Sequence, residues 1–295
     1  GAAGSASQAK LAVNQVAQGF NVDTAGHVEA VVQQLLTDPI VAVEPYLRNV
    51  GSGELNAAGA RFCSSFGALM GKYPFDPDAS AEATVDEVAG MFKPGTGLMW
   101  TFYDEVLQKV LAKQGNQVVP RPGAPMAPNT AFVAFFNRAA GLSAALFKDG
   151  SEDPRFSFAL RPVRSDAISG VTLGVDNQVA RFTRSANDLT PFQWQAGTAR
   201  SARLAAQLNG TEVNVLGPFS GPWSLFKLFH RADRWQGTSG NYTVEWTPRM
   251  SGGQPMTLTD GTPVRVVVEL RMPGVPPVLQ RGYFDGLRCV SRVAQ

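Results

Sequence analysis

The sequence has few of the residues that most enzymes use for chemistry. Among its 295 residues are only two histidines and two cysteines, namely His27, His230, Cys63 and Cys289. A catalytic zinc ion needs about three protein ligands, and no histidine, cysteine and carboxylate residues are spaced as a metal site requires. The glycine-rich phosphate loop and the serine nucleophile signature are also missing. The sequence therefore predicts no catalytic residue, no cofactor and no metal.

Charge is also scarce, since 17% of the residues are charged and the formal net charge is +2. A net charge this small gives no strong field for a phosphate backbone, so we do not expect nucleic acid as a partner. The charge is unevenly distributed: residues 151–295 contain 15 arginines and one lysine against 11 acidic residues. Arginine strengthens interface contacts through its planar set of donors.

No run of about 18 apolar residues exists, so the sequence predicts no membrane-spanning helix. Residues 1–7 have neither the basic region nor the apolar stretch of a signal peptide. A leading glycine before small residues looks like the remnant of a tag, and we expect the chain to be a fragment of a longer protein. With 44% hydrophobic residues, it can bury a sizeable core.

Residues 1–150 have the hydrophobic spacing of helices. Asp38-Pro39 and Ser52 each predict the start of a helix, and Thr84 with Glu87 predicts a capping box. Further helical stretches are predicted at Val28–Leu36, from Pro94 to Val110 and at Phe132–Leu146. The proline-rich segment Val119–Pro128 is predicted to be a loop inside this helical domain.

From residue 151 the hydrophobic period changes to two, as Phe156, Phe158 and Leu160 illustrate. Asp176-Asn177 predicts a tight hairpin turn, and one helix is predicted from Pro222 to Arg234. Further strands are predicted at Arg200–Leu208, Glu212–Leu216, Tyr242–Thr247, Met256–Thr259 and Val264–Leu270. We therefore predict an α+β fold: an all-helical domain at 1–150, then an antiparallel β-sandwich with one inserted helix at 151–295.

Two groups of residues are compatible with another class of protein, a secreted carbohydrate-binding or hydrolytic protein. Asp76 and Asp78 flank a proline, and paired carboxylates can perform acid–base catalysis. Four tryptophans of the second domain could form a sugar-stacking platform: Trp194, Trp223, Trp235 and Trp246. A polar turn explains the aspartates more simply, and burial in a core or interface explains the tryptophans.

Several motifs resemble the periplasmic part of the IcmF/TssM family, the large inner-membrane subunit of the bacterial type VI secretion system. The matching residues are Leu36-Thr37-Asp38-Pro39-Ile40, Tyr73-Pro74-Phe75, Asp86 through Phe92, Pro94-Gly95-Thr96-Gly97-Leu98, Val175-Asp176-Asn177-Gln178, Phe192-Gln193-Trp194 and Gly221-Pro222-Trp223-Ser224-Leu225-Phe226-Lys227-Leu228. The resemblance covers roughly residues 28–290.

This resemblance implies a non-enzymatic scaffold in the periplasm, belonging to an inner-membrane protein whose membrane-spanning part is absent from this chain. The implied partners are the outer-membrane lipoprotein of the secretion system and a second bitopic inner-membrane subunit, with self-association in the full complex. A periplasmic location also permits a disulfide between Cys63 and Cys289. We favour two buried free thiols instead, because cysteine is among the most buried residue types.

One segment is a candidate partner-binding surface. Three prolines between residues 272 and 279 prevent regular sheet pairing and predict an irregular loop. Apolar residues surrounded by arginines are typical of interfaces. We therefore predict that an exposed patch formed by six residues binds the lipoprotein or a neighbouring copy: Arg271, Met272, Val275, Val278, Leu279 and Arg281. The alternative is that these residues cover the open end of the sandwich core.

Overall fold

The computed structural model describes residues 38–163, 168–183, 188–208 and 210–295, together with Leu11 and Gln15. The helices in these ranges are α1 (Asp38–Met70), α2 (Val85–Phe92), α3 (Leu98–Glu105), α4 (Thr130–Leu146) and α5 (Ser224–Phe229). None of the helices in these ranges is long and apolar enough to cross a membrane. The helix predicted at Val28–Leu36 lies outside the described residues.

The strands are β1 (Leu111–Gln114), β2 (Gln117–Pro120), β3 (Arg155–Pro162), β4 (Ile168–Val175), β5 (Gln178–Thr183), β6 (Thr190–Gln195), β7 (Ser201–Leu208), β8 (Thr211–Ser220), β9 (Arg234–Thr238), β10 (Asn241–Trp246) and β11 (Val266–Arg271). They form a β1–β2 hairpin, a five-stranded sheet in the order β6-β3-β11-β10-β9 and a four-stranded sheet in the order β5-β4-β7-β8. Every pairing between these named strands is antiparallel. The predicted α+β class is confirmed.

The chain divides into two compact units that do not follow sequence order. The first contains residues 38–64, Phe102–Asn137 and Cys289–Gln295 of the described chain. The second contains Ser65–Thr101 and Arg138–Arg288, and thus both large sheets. Residues 150 and 151 both belong to the second unit, where helices give way to strands, and the domain division predicted there stays a prediction.

The first unit joins α1 to a segment more than 200 positions away. Cys63 and Cys289 form a disulfide, so the interpretation of two free thiols is wrong. Burial alone could not decide the question, because bonded and free cysteines are both commonly buried. The Asn56 side chain accepts hydrogen bonds from the backbone N–H groups of Val293 and Ala294 at 2.8 and 2.9 Å. The segment 289–295 is therefore held by a covalent bond and by a polar clamp.

In the second unit, α5 packs against the five-stranded sheet through aromatic side chains. The ring centroid of Phe226 lies 6.2 Å from that of Phe156 in β3 and 5.1 Å from that of Trp194 in β6. The Trp194 indole N–H donates to the Pro222 carbonyl, and the Trp246 indole N–H donates to the Leu228 carbonyl, both at 3.1 Å. One hydrogen bond is made to α5 and the other to the residue two positions before it, and together they fix this segment against the core.

Several local predictions are confirmed by the backbone and its hydrogen bonds. Thr84 caps α2, and Glu87 donates its backbone N–H to the Thr84 hydroxyl while its carboxylate accepts from the Thr84 N–H. The β4–β5 hairpin turns at Asp176, whose φ is 55°. Its carboxylate also accepts from the Ser201 N–H at 2.9 Å, which fixes the turn against β7.

Other local predictions are wrong. Ser52 lies inside α1 and starts no helix, because α1 continues unbroken from Asp38 to Met70. The helix expected from Pro222 to Arg234 ends at Phe229, since Arg234 begins β9 as the partner of Glu245. Met256–Thr259 makes only an isolated bridge, and Pro263 opposite Thr257 cannot continue a ladder.

Two further strand regions differ from the predictions. The segment expected to be a loop begins inside β2, where Val119 pairs with Ala112. Strand β6 is not among the predicted strands, and it contains Pro191. Proline is tolerated there because β6 is at the edge of its sheet.

Candidate functional site

The six predicted partner-binding residues lie at the end of β11 and in the segment that follows it. Half of them are buried. Met272, Val278 and Leu279 are fully buried, whereas Arg271 and Arg281 are exposed and Val275 is half-buried. The expectation that all six form an exposed patch is therefore wrong. The buried three belong to the core of the second unit. Binding through the accessible residues stays a prediction.

The tryptophans of the second unit do not form a sugar-stacking surface. Trp194, Trp223 and Trp246 are each 2% exposed or less, and only Trp235 is partly accessible. A carbohydrate ring needs an open indole face, which these three residues do not present. Their burial follows from their size, because each removes 150–250 Å² from water in the core.

The Asp76 and Asp78 pair forms a turn. The Asp76 carboxylate accepts a hydrogen bond from the Asp78 backbone N–H at 3.0 Å, the geometry of an Asx turn. The Asp78 carboxylate pairs with Arg281 at 2.6 Å. Both carboxylates are thus occupied by structural contacts in the described part of the chain. Among the same residues no group of three histidine, cysteine or acidic side chains could hold a metal.

A cavity of about 720 Å³ lies next to this turn, within the second unit. Its walls come from the loop after α1, from β8, from α5 with the loop that follows it, and from the end of β10. The residues that carry its polar chemistry are Tyr73, Asp78, Glu82, Lys227, His230, Arg231, Asp233, Arg249 and Arg281. This volume is in the range that binds small molecules or short peptide segments.

Two buried polar side chains of this cavity have no hydrogen-bond partner in the part of the chain that the structure describes. The Tyr73 hydroxyl and both ring nitrogens of His230 are unpaired, although these residues are only 7% and 5% exposed. Their rings meet edge to face at 5.5 Å between centroids. Leaving a buried polar group unsatisfied costs about 1–3 kcal/mol, so these two residues lower the stability of the folded chain.

Charged pairs surround these two side chains. Lys227 pairs with Glu82 at 2.6 Å, Arg249 with Asp233 at 3.2 Å, and Arg281 with Asp78. Arg231 is the remaining cation of the cavity wall, and its guanidinium lies 5.5 Å from the centre of the Phe219 ring. No carboxylate among the described residues pairs with Arg231.

Burial makes His230 a neutral imidazole. Removal from water, and secondarily the positive charge of Arg281, lower the pKa of His230 from 6.5 to about 4. A cation is favoured at a helix C-terminus, but desolvation outweighs the helix dipole at His230. Burial likewise raises the pKa of Tyr73 above its ordinary value, with Glu82 adding to the effect, so the hydroxyl keeps its proton.

The neutral His230 predicts a loss of stability in mild acid. The unfolded chain protonates this residue near pH 6.5 and the folded chain only near pH 4. The unfolded state therefore binds more protons between these values, and the free energy of unfolding should fall by about 3 kcal/mol as pH drops from 6.5 to 4. Urea unfolding at stepped pH measures it.

His230→Leu is the matched variant for this experiment, because it removes the titrating group and keeps an apolar side chain in the core. Its stability should be flatter between pH 6.5 and 4 than that of the wild-type chain. The Glu87 carboxylate, whose pKa is lowered chiefly by its hydrogen bond with Lys72, loses its contribution in a more acidic window. An unchanged pH dependence in the variant would contradict the assignment to His230.

The cavity was not found from the sequence. In the sequence, Tyr73 and Pro74 belong to one motif of the family resemblance, and His230 is one of two histidines without the spacing of a metal site. Positions 73 and 230 are far apart in the chain, and no spacing rule connects them. The sequence signal closest to the cavity is Gly221-Pro222, because α5 follows this pair and His230 is the residue directly after α5.

Two family models match the chain in succession. The "Type VI secretion protein IcmF helical domain" matches residues 56–152, and the "Type VI secretion protein IcmF C2-like domain" matches residues 158–259. A relative from Pseudomonas aeruginosa PAO1, "Type VI secretion system component TssM1", is 27% identical over 218 residues. The match covers 71% of this chain and 19% of the relative, so this chain spans about a fifth of that protein.

Solved structures share the fold. A chain of a "Type VI secretion system membrane core complex" is similar with a TM-score of 0.77 and 20% identity, over 98% of this chain and 57% of that chain. The C-terminal domain of the T6SS protein TssM from EAEC is similar with a TM-score of 0.64 and 22% identity. That likeness covers 82% of this chain and all of the other chain.

Proposed function

The chain belongs to the IcmF/TssM family, and on this basis we propose that it is a non-enzymatic scaffold of a type VI secretion membrane complex. The observation that carries the proposal is the succession of the family's helical and C2-like domains in one chain. Two occupied aspartates and three buried tryptophans give the carbohydrate-binding or hydrolytic alternative no support from the described residues.

The scaffold is placed in the periplasm by this proposal, as a portion of an inner-membrane protein. The disulfide between Cys63 and Cys289 supports that location, since disulfides persist in the bacterial periplasm and are rare in the cytosol. The proposed partners are the outer-membrane lipoprotein of the secretion system, a second bitopic inner-membrane subunit and further copies of the same chain.

The accessible residues of the predicted loop are the proposed contacts to the lipoprotein. Arg271 is exposed at the end of β11, and Val275, four positions later, is half-buried. Exposed arginine near a partly buried apolar residue can add bidentate hydrogen bonds at the edge of an interface. The buried Val278 and Leu279 then serve as the base that holds these residues in place.

Binding to the lipoprotein encoded in the same gene cluster tests the scaffold. We expect the purified chain to form a stoichiometric complex with the acyl-free lipoprotein, with a Kd of about 1 μM or tighter by calorimetry. Arg271→Glu should weaken this binding about tenfold or more by reversing a charge at the interface. Arg288→Glu is the matched control, because Arg288 is also exposed and lies outside the loop.

Two outcomes would contradict parts of the proposal. Absence of binding at 100-fold higher protein concentration would remove the lipoprotein from the set of partners. Equal binding by the wild-type chain and Arg271→Glu would exclude the loop and leave the scaffold intact. Peptidoglycan hydrolysis that disappears in Asp76→Asn would contradict the non-enzymatic role.

A further inference from the structure

Three hydrogen-bond donors of residues that line the cavity beside α5 have no acceptor among the described residues. The Tyr73 hydroxyl is protonated, unpaired and buried, and the neutral His230 ring has one N–H that is also unpaired. Arg231 adds a guanidinium that forms an ion pair with no carboxylate among the described residues. An ionised carboxylate is an acceptor-only group with about four lone-pair sites, so it complements such a set of donors.

The formal charge of the cavity wall also favours an anion. Four cations and three carboxylates line it, and three of these cations already pair with the three carboxylates. The remaining charge of +1, on Arg231, equals the charge of one carboxylate. A phosphate group would carry close to two negative charges at neutral pH and would exceed what this wall compensates.

The other His230 nitrogen distinguishes a peptide from a free anion. A neutral imidazole has one donor and one acceptor nitrogen, and both are unpaired here. A peptide supplies a backbone N–H for the acceptor together with a carboxylate for the donors. A free carboxylate supplies no such donor and fills little of a cavity of about 720 Å³.

We propose that this cavity binds a short acidic peptide segment, with one aspartate or glutamate carboxylate accepting from Arg231 and Tyr73 and with His230 contacting the peptide backbone. The inference rests on the proposed function only in taking the occupant to be a segment of a protein. The unsatisfied Tyr73 hydroxyl and His230 ring are then groups kept for binding at a cost to the folded chain.

The binding test uses the purified chain and three probes. Titration with acetyl-Gly-Glu-Gly-amide should shift the NMR signals of the His230 and Tyr73 rings saturably, with a Kd below about 1 mM. The isosteric acetyl-Gly-Gln-Gly-amide should bind at least about tenfold more weakly, because hydrogen bonds to a charged acceptor are the stronger ones. Sodium acetate, the free carboxylate, should bind more weakly than the glutamate peptide.

Three variants separate binding from folding. Tyr73→Phe removes one buried hydroxyl and keeps the ring, so it should reduce affinity for the glutamate peptide severalfold without lowering Tm. Arg231→Gln should reduce affinity about tenfold. Arg234→Gln is the matched control, since Arg234 is an exposed arginine three residues away that does not line the cavity.

The outcomes decide the inference independently of the lipoprotein experiment. Glutamate-peptide binding that is lost in Arg231→Gln and kept in Arg234→Gln supports it, even if the lipoprotein does not bind. No saturable shift at 10 mM peptide would overturn it, as would equal binding of the glutamine peptide. Acetate binding as tightly as the peptide would assign the cavity to a small anion instead. A fall in the Tm of Tyr73→Phe would make that hydroxyl a structural group.

Discussion

Val278→Ser combined with Leu279→Ser is expected to destabilise the folded chain by about 5 kcal/mol or more. Both side chains are fully buried, and truncating a buried leucine costs about 2–5 kcal/mol through lost apolar burial and the cavity that remains. The new hydroxyls would also need hydrogen-bond partners in an apolar environment. Tm should fall by at least about 10 °C, measured by circular dichroism.

Val275→Ser provides the control for this double variant. Val275 is in the same loop and only half-buried, so its replacement should change the free energy of unfolding by no more than about 1 kcal/mol. A double variant that melts with the wild-type chain would show that Val278 and Leu279 contribute little to the core. The loop would then be an exposed surface, which is one of the two interpretations drawn from the sequence.

Replacing Cys63 and Cys289 by alanine is expected to cost up to about 5 kcal/mol. The crosslink joins residues 226 positions apart, and on the loop-entropy model such a closure restricts the unfolded chain strongly. The loss should appear as a lower urea midpoint at an unchanged native circular dichroism spectrum. The native contacts of Asn56 to Val293 and Ala294 remain available in the variant.

Thiol counting gives an independent check of the crosslink. The denatured, unreduced chain should show no free thiol. In a separate measurement, the Tm of the folded chain should drop when a reductant is added. The alanine double variant is the control, because its Tm should not respond to the reductant. Two free thiols per denatured chain would contradict the disulfide.

Short-range signals in the sequence were sufficient for several elements. The capping box of Thr84 and Glu87 depends on two side chains three positions apart, and both of its hydrogen bonds form. The turn at Asp176 depends on one residue that tolerates positive φ. Each of these features is decided within one turn of chain, so the sequence predicts it well.

Elements decided by distant partners were mispredicted. Arg234 continues a helical pattern after α5 but forms β9, because the backbone of β10 is available for pairing. Val278 and Leu279 follow three prolines and look exposed, yet they are buried. Tyr73 and His230 line the same cavity. Local sequence patterns do not predict that such distant segments come together.

The composition of the first unit has a consequence for the order of events during synthesis. Its parts are residues 38–64, Phe102–Asn137 and Cys289–Gln295, so the earliest of them leaves the ribosome long before the latest. Synthesis proceeds at about 5–20 residues per second, which makes this delay on the order of ten seconds or more. Over that time Cys63 has no Cys289 with which to react.

The first unit begins earlier in the chain than the second, but it is the last to have all its residues synthesised. The second unit lies within Ser65–Arg288 and has all its segments before residue 289 appears. Closing the first unit requires a contact between residues 63 and 289, and contacts of such long sequence separation slow folding. Until then Cys63 has no disulfide partner, and the hydrogen bonds of Asn56 with Val293 and Ala294 are also missing.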